Sequence, residues 1–249
     1  MARSFNGTSQ YATATSSVNY NSTDITVSLW VYIPSTNNMS GGSHRIIEVG
    51  GLASTVLDGL SFELNTFTSA VGAKVWDGGN WVTDIGSAWT YTTNTWNHLA
   101  ITARLTTSEL NRFYANGAQQ GADLTSGGRT ANAQDFSLAA QNDGESGNYL
   151  NGNLAELSFF NVDLTASEIS DLAAGRSPVA VNEAALVAYW RMDGAGATEN
   201  DYVNSAVLTY TGSPGTATGP TVDDPPTGSD RAFNRFAFGG QAINRAANW

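Results

Sequence analysis

Glycoside hydrolysis needs two carboxylates roughly 5–9.5 Å apart, and a strand supplies them most directly when acids recur at every second residue. The chain has no such run. Glu63 stands in FELN and Glu156 in AELS, each without a second acid two or four positions away. Nucleophilic chemistry is no better served, because the only histidines are His44 and His98 and neither a G-x-S-x-G elbow nor a G-x-x-x-x-G-K-[ST] phosphate loop occurs. Both histidines are expected in structural positions, and the expected chain is not an enzyme.

Two other groupings could bind a ligand without making or breaking bonds. Gln141, Asn142, Asp143 and Glu145 gather in QNDGES, a set of hard oxygen donors on one loop that could hold calcium or form a solvated polar turn. The stretch WDGGNWVTDIGSAWTY offers Trp76, Trp81, Trp89 and Tyr91, whose flat faces can stack on sugar C–H surfaces. Asp77, Asn80 and Asp84 lie among them as hydrogen-bonding groups. Trp89 and Tyr91 alternate as strand residues would, so burial of at least half of these rings is the competing expectation.

Positioning such groups requires a scaffold of strands. The organising stretch is GNLAELSFFNVDLTASEISDLAAGRSP, residues 152–178. Leu154, Glu156, Ser158 and Phe160 alternate with Ala155, Leu157, Phe159 and Asn161, the period-two signature of a strand. Thr165 with Glu168 three residues later forms a capping box, Ile169, Leu172 and Ala173 make one apolar stripe, and Gly175 followed by Pro178 stops the helix.

The earlier chain reads as strands: a bent edge strand over 3–15 around Asn6-Gly7, then 25–33, 44–50, 59–64 and 70–77. Further strands cover 96–105, 109–115 and 136–140, with Asn116-Gly117 as the strongest hairpin turn. After the helix, 184–192 is a strand and 206–211 its expected partner.

The stretch at 152–178 resembles the closing block of laminin G-like, concanavalin A-like jelly-roll modules, in which a G-x-I-x-E-V-x-I-Y-N strand runs into A-L-S-x-x-E-I and G-R. SFNGTSQYAT, DITVSLWVYIP, WNHLAITARL and RFYANGAQQG keep the same family order, so the resemblance covers about residues 3–178. It implies an all-β, two-sheet antiparallel jelly-roll sandwich with one short helix. It also gives Glu156 the role of the family's recurrent strand acid. QNDGES resembles the acidic calcium loop of pentraxins, and Asp58 in VLDGL matches the other acidic position of that site. Gln141 departs from the pattern, standing where an acid is expected, and the spacing after Asp143 is shorter.

Composition is consistent with this architecture. A chain of 249 residues suits one all-β domain of roughly 200–250 residues, and a charged fraction of 13% with abundant Gly, Ser, Thr and Asn favours short strands and many turns. The net charge of −11 repels bare nucleic acid and anionic membrane. Absence of cysteine excludes disulfides and thiolate metal sites. No positive-then-apolar leader and no membrane-length apolar stretch is read in the chain, so neither export through such a leader nor membrane insertion is expected.

The sandwich is expected over 1–212, its last strands drawn from 184–211 because about 30 residues cannot bury a core alone. LVAYW-x-x-D and x-L-T-Y-T-G resemble strands that open many family members, here displaced to the end. A Pro/Gly-rich linker is expected over 213–230, and a basic, aromatic arm over 231–249.

The arm carries Arg231, Phe233, Arg235, Phe236, Phe238, Arg245 and Trp249. Residues 228–249 hold three Arg against Asp230, a net +2, so residues 1–227 carry −13. Such an arm either packs back on its own acidic sandwich or docks onto another chain.

The whole arrangement resembles bacteriophage structural proteins. That resemblance implies a non-enzymatic virion subunit, a capsid decoration or tail-associated protein in a symmetric or oligomeric assembly, with the arm on another virion protein and the sandwich free to meet host glycans. The alternative is an extracellular or cell-surface carbohydrate-binding module acting in adhesion.

Overall fold

Ile25, Val27, Leu29 and Val31 all turn into one core, as their spacing predicts, and the strand that carries them lies mid-sheet with partners on both sides. The structure is a computed structural model that describes residues 1–19, 24–36, 39, 42–49, 58–77, 80–104, 110–125, 133–141, 148–204 and 206–224. At 15–19, 58–59, 75–77, 80–83 and 133–135 it describes the backbone alone.

In chain order the first strands are β1 (Ala2–Asn6), β2 (Tyr11–Asn19), β3 (Asp24–Tyr32), β4 (Ser43–Val49), β5 (Asp58–Asn65), β6 (Ala70–Asp77), β7 (Asn80–Thr90), β8 (Trp96–Arg104) and β9 (Leu110–Ala115). They are followed by β10 (Ala118–Gln119), β11 (Leu124–Thr125), β12 (Ala133–Leu138) and β13 (Asn151–Phe160). Helices α1 (Ala166–Ala173) and α2 (Pro178–Asn182) precede β14 (Leu186–Trp190), β15 (Thr198–Asn200), β16 (Val207–Thr211) and β17 (Gly215–Ala217).

These strands form two antiparallel sheets. One runs β10-β9-β8-β3-β13-β1-β17, with β11 on β9 and β14 on β13; the other runs β15-β16-β2-β12-β4-β5-β6-β7. Apolar side chains from both inner faces meet between them, and the rings of Phe136, Phe159 and Trp190 pack at 5.2–6.2 Å between centroids. Among the described residues no helix is long and apolar enough to cross a membrane.

Helix α1 forms where the capping box predicts it. Thr165 Oγ1 accepts from the Glu168 N–H while Glu168 Oε2 accepts from the Thr165 N–H at 2.8 Å. Its end is a Schellman turn. Gly175 takes φ +91°, its N–H reaches Leu172 O, and the Arg176 N–H reaches Asp171 O. Ile169 and Leu172 are buried with Tyr114, Phe160 and Tyr189 in a second apolar cluster.

Four sequence expectations need correction. Pro178 does not only end α1: it is the first residue of α2, where proline's fixed φ and missing N–H cost nothing, so the described residues hold two short helices. The alternation along β13 breaks at Glu156, which adopts φ +57° within a bulge. Leu154, Leu157 and Phe159 therefore all enter the main core.

Strand β16 is not the partner of β14. Strand β14 pairs with β13 in one sheet, while β16 pairs with β2 in the other. Likewise, residues 3–15 do not form one bent strand, because β1 and β2 belong to different sheets.

The segment read as a linker is extended but lies on the body as far as Asp224. Residues 215–217 pair with β1, Gly219 sits against Met1, and the Asp223 N–H donates to Gly175 O. Arg3 anchors this return. Its guanidinium donates to Pro214 O at 3.3 Å and to Gly196 O, and stacks 3.8 Å from the centroid of Tyr210.

Candidate functional site

Strands β5 and β6 send Leu60, Phe62, Leu64, Val71 and Ala73 into the core, so Ser61, Glu63, Gly72 and Lys74 take the opposite face of the eight-stranded sheet. Register then builds a polar row across five strands: Ser137 stands beside Glu48, Glu48 beside Ser61, Ser61 beside Lys74 and Lys74 beside Asp84. A bulge between Arg45 and Ile47 lets Arg45 share this face with Glu48, three residues on.

Arg45 Nε donates to Glu48 Oε2 at 3.1 Å and its Nη1 donates to Glu63, while Lys74 Nζ donates to the other Glu63 oxygen at 2.7 Å. Arg45, Glu48 and Glu63 are each at most 7% exposed, which such charges tolerate only when paired. Two carboxylates on neighbouring strands therefore share one guanidinium. At the outer side, Gly72 lies in ordinary van der Waals reach of Asp84, whose Oδ1 would lie 3.8 Å from an added Cβ.

The sequence-predicted ligands fall in three places. Backbone register sets Asp58 opposite Asp77 and Asp77 opposite Asn80, with Trp76 opposite Trp81 in the next row. The calcium candidate Asp58 thus shares one sheet end with four of the glycan candidates. Trp89 and Tyr91 do not join them: Tyr91 is buried in the main core and Trp89 is partly buried against it.

Gln141 lies elsewhere again. Its Oε1 accepts from Asn148 Nδ2 at 2.6 Å, and Asn148 O accepts from the Arg45 N–H, at the opposite end of β4 from Asp58. At about 3.3 Å per residue the two ends are roughly 20 Å apart, so register does not bring Asp58 and Gln141 together. Asn142, Asp143 and Glu145 lie outside the described residues, as do Arg231, Phe233, Arg235, Phe236, Phe238, Arg245 and Trp249. Among the described residues no three His, Cys, Asp or Glu side chains gather as a metal site.

The histidines are placed by packing. His98 is buried, its Nε2 is 2.8 Å from Ser28 Oγ, and its ring meets Trp30 edge-on at 5.2 Å. Burial pulls its pKa down to about 3, so the ring is neutral. No carboxylate orients its Nδ1 among the described residues, which leaves the Ser28–His98 pair without the third member of a catalytic triad. His44 Nδ1 is 3.0 Å from Tyr149 O.

A second polar cluster surrounds Glu156 on the nine-stranded sheet. Strand β13 pairs with β1 up to Leu154 and with β14 from Leu157, so Glu156 stands where it changes partner. Its N–H reaches Arg191 O at 3.2 Å and its carboxyl accepts from the Tyr189 hydroxyl. Burial raises the Glu156 pKa to about 7, against the opposing pull of that hydroxyl and of Arg191. Arg191 also pairs with Asp193 at 3.4 Å and Asp224 at 3.1 Å. The sequence marked Glu156 as a strand acid, but Lys74, Tyr189 and Arg191 carried no local signal because each acts across strands, and Arg45 and Glu48 meet only because a bulge in β4 puts them on one face.

Known proteins share this architecture. Residues 6–170 match the laminin G type of the concanavalin A-like lectin/glucanases superfamily. A candidate carbohydrate binding protein from Bacteroides ovatus superposes with a TM-score of 0.62 at 17% identity over 90% of the chain, which spans 60% of that protein's length. The heptameric SAP-like pentraxin of Limulus polyphemus gives a TM-score of 0.51 at 14% identity, over 69% of the chain and 81% of the pentraxin. At these identities the likeness concerns the fold. Among curated protein sequences nothing matches the chain.

Proposed function

The chain belongs to the concanavalin A-like lectin/glucanase superfamily, and on that premise we propose that it is a non-catalytic carbohydrate-binding β-sandwich module. The observation that carries the reading is the accessible end of the polar row, where Lys74 and exposed Asp84 lead to the β6–β7 hairpin bearing Trp76 and Trp81, while the buried Arg45, Glu48, Ser61 and Glu63 brace it from beneath. Sugar hydroxyls need alternating donors and acceptors on a rigid support, with an aromatic surface close by. The fold's likeness to the candidate carbohydrate binding protein of Bacteroides supports the same reading.

Catalysis is disfavoured by the charge pairing. A general acid must carry a proton and a general base must offer a free lone pair to the reacting group. Glu48 and Glu63 instead accept from one buried guanidinium.

Glycan-array binding by the full chain tests this. Wild type should bind a glycan, while Asp84→Ala and Trp81→Ala should each weaken binding roughly tenfold, the scale of one lost polar or stacking contact. Binding to no glycan, or sugar release that depends on Glu63, would overturn it.

One observation favours a structural role alongside binding. The described chain reaches Asp224 against Arg191 at the end of β14, in the nine-stranded sheet, the layer opposite the polar row. The arm would dock a phage capsid or tail protein there, and the polar face would meet host glycans. Removing residues 231–249 should then abolish attachment to particles and spare glycan binding. Particles that retain the truncated chain would reject the arm as the tether.

A further inference from the structure

The return segment, residues 218–224, is held to the nine-stranded sheet at three points. Gly219 lies against Met1, where an added Cβ would be 2.4 Å from Met1 O. Gly175 receives Thr221 at similar closeness and accepts from the Asp223 N–H at 2.8 Å. Asp224 then takes the Arg191 guanidinium. Among the described residues nothing covalent or deeply apolar fixes this strap. Its last attachment, at Asp224, rests on one cation, Arg191, that also pairs with Asp193 and acts on the charge of Glu156.

Glu156 occupies an unusual position for a strand residue. It is 7% exposed, adopts a left-handed φ of +57° that a glycine would take at lower cost, and fills the gap between β1 and β14. Residues held this way persist only when their surroundings over-determine them, and they concentrate at switches and binding sites. The ionisable groups acting on it are Tyr189 and Arg191 from β14 and its end, Asp193 beyond it, and the amino terminus ahead of β1. Asp224 joins through Arg191.

We propose that Glu156 is a proton-operated latch for the strap of residues 218–224, closed when its carboxyl is neutral and released when it ionises. With Glu156 neutral, Arg191 faces two carboxylates, Asp193 and Asp224. Ionisation adds a third carboxylate to the same guanidinium from the buried side, drawing Arg191 inward and leaving Asp224 less well paired. Burial sets this titration near neutrality, within reach of ordinary changes of pH. The latch lies on the sheet opposite the proposed glycan face and does not depend on that function.

Hydrogen exchange followed by mass spectrometry on the full chain tests it, with rates corrected for the intrinsic effect of pH. From about pH 6 to about pH 8.5 the protection of 218–224 should fall roughly fivefold, while peptides from β3 and β13 keep theirs, because local opening is separable from global unfolding. Glu156→Gln should hold the strap at both pH values. Tyr189→Phe, which removes a donor to the carboxylate, should move release to higher pH and provides a second test should the glutamine variant fail to fold. Strap protection that ignores pH in the wild type, or that falls equally in Glu156→Gln, overturns the latch.

Discussion

Replacing Arg45 by methionine should lower the unfolding free energy by about 3–5 kcal/mol, measured by urea denaturation at neutral pH, because it takes a charged donor from two carboxylates in a site that excludes water. Glu48 is 2% exposed and loses a charged donor at 3.1 Å; Glu63 keeps only Lys74. Methionine fills much of the volume of the arginine stem, which separates lost charge pairing from lost packing.

The control is a second substitution. Arg45→Met with Glu48→Leu removes one buried carboxylate together with its arginine and should recover at least half of the loss, since replacing a buried ion pair by apolar groups is often neutral. A single variant within about 0.5 kcal/mol of wild type, the range of ordinary surface changes, would mean that the network is solvated and not a structural element of the sheet.

How much of this was legible in the sequence depends on whether the determinant is local. The capping box of Thr165 and Glu168 and the Asn116-Gly117 turn, with φ of +48° and +82°, are set by residues within three or four positions and were read directly. The inward face of β3 came from its alternation. Phase was lost where a bulge intervenes: at Glu156, which puts Leu154 and Leu157 on one side, and at Arg45, which brings Arg45 and Glu48 to the same face.

Strand pairing was the other obscured quantity. LVAYW and LTYT lie about 20 residues apart and pair with different sheets, because β13 had a free side beyond β1 and β2 had one opposite β12. No local pattern encodes that choice. The same holds for the site. Glu48 and Glu63 face one guanidinium across β4 and β5, and Asp58, Asp77 and Asn80 fall into one row only through the register of three strands.

Replacing Glu156 by glutamine should stabilise the protein at alkaline pH and leave it unchanged in acid. Burial raises this carboxyl from 4.5 to about 7, so the folded chain binds a proton that the unfolded chain has already lost. The corresponding stability is fully present below about pH 4.5 and is lost as pH rises through about 7. At roughly 1.4 kcal/mol per pH unit the interval amounts to about 3 kcal/mol, an upper bound because water reaching the carboxylate on ionisation would reduce it.

Glutamine keeps an oxygen for the Tyr189 hydroxyl and does not titrate, so denaturation curves of variant and wild type should coincide near pH 4.5 and diverge by about 2–3 kcal/mol at pH 8.5. The Arg191 pairs with Asp193 and Asp224 are the same in both proteins at acid pH, and loosening of the Asp224 pair in the ionised wild type adds to the divergence at alkaline pH. Parallel curves across the whole range would show that Glu156 ionises without cost, as a carboxylate open to solvent would, and would remove the energetic basis for a charge-sensitive contact between β13 and the returning chain.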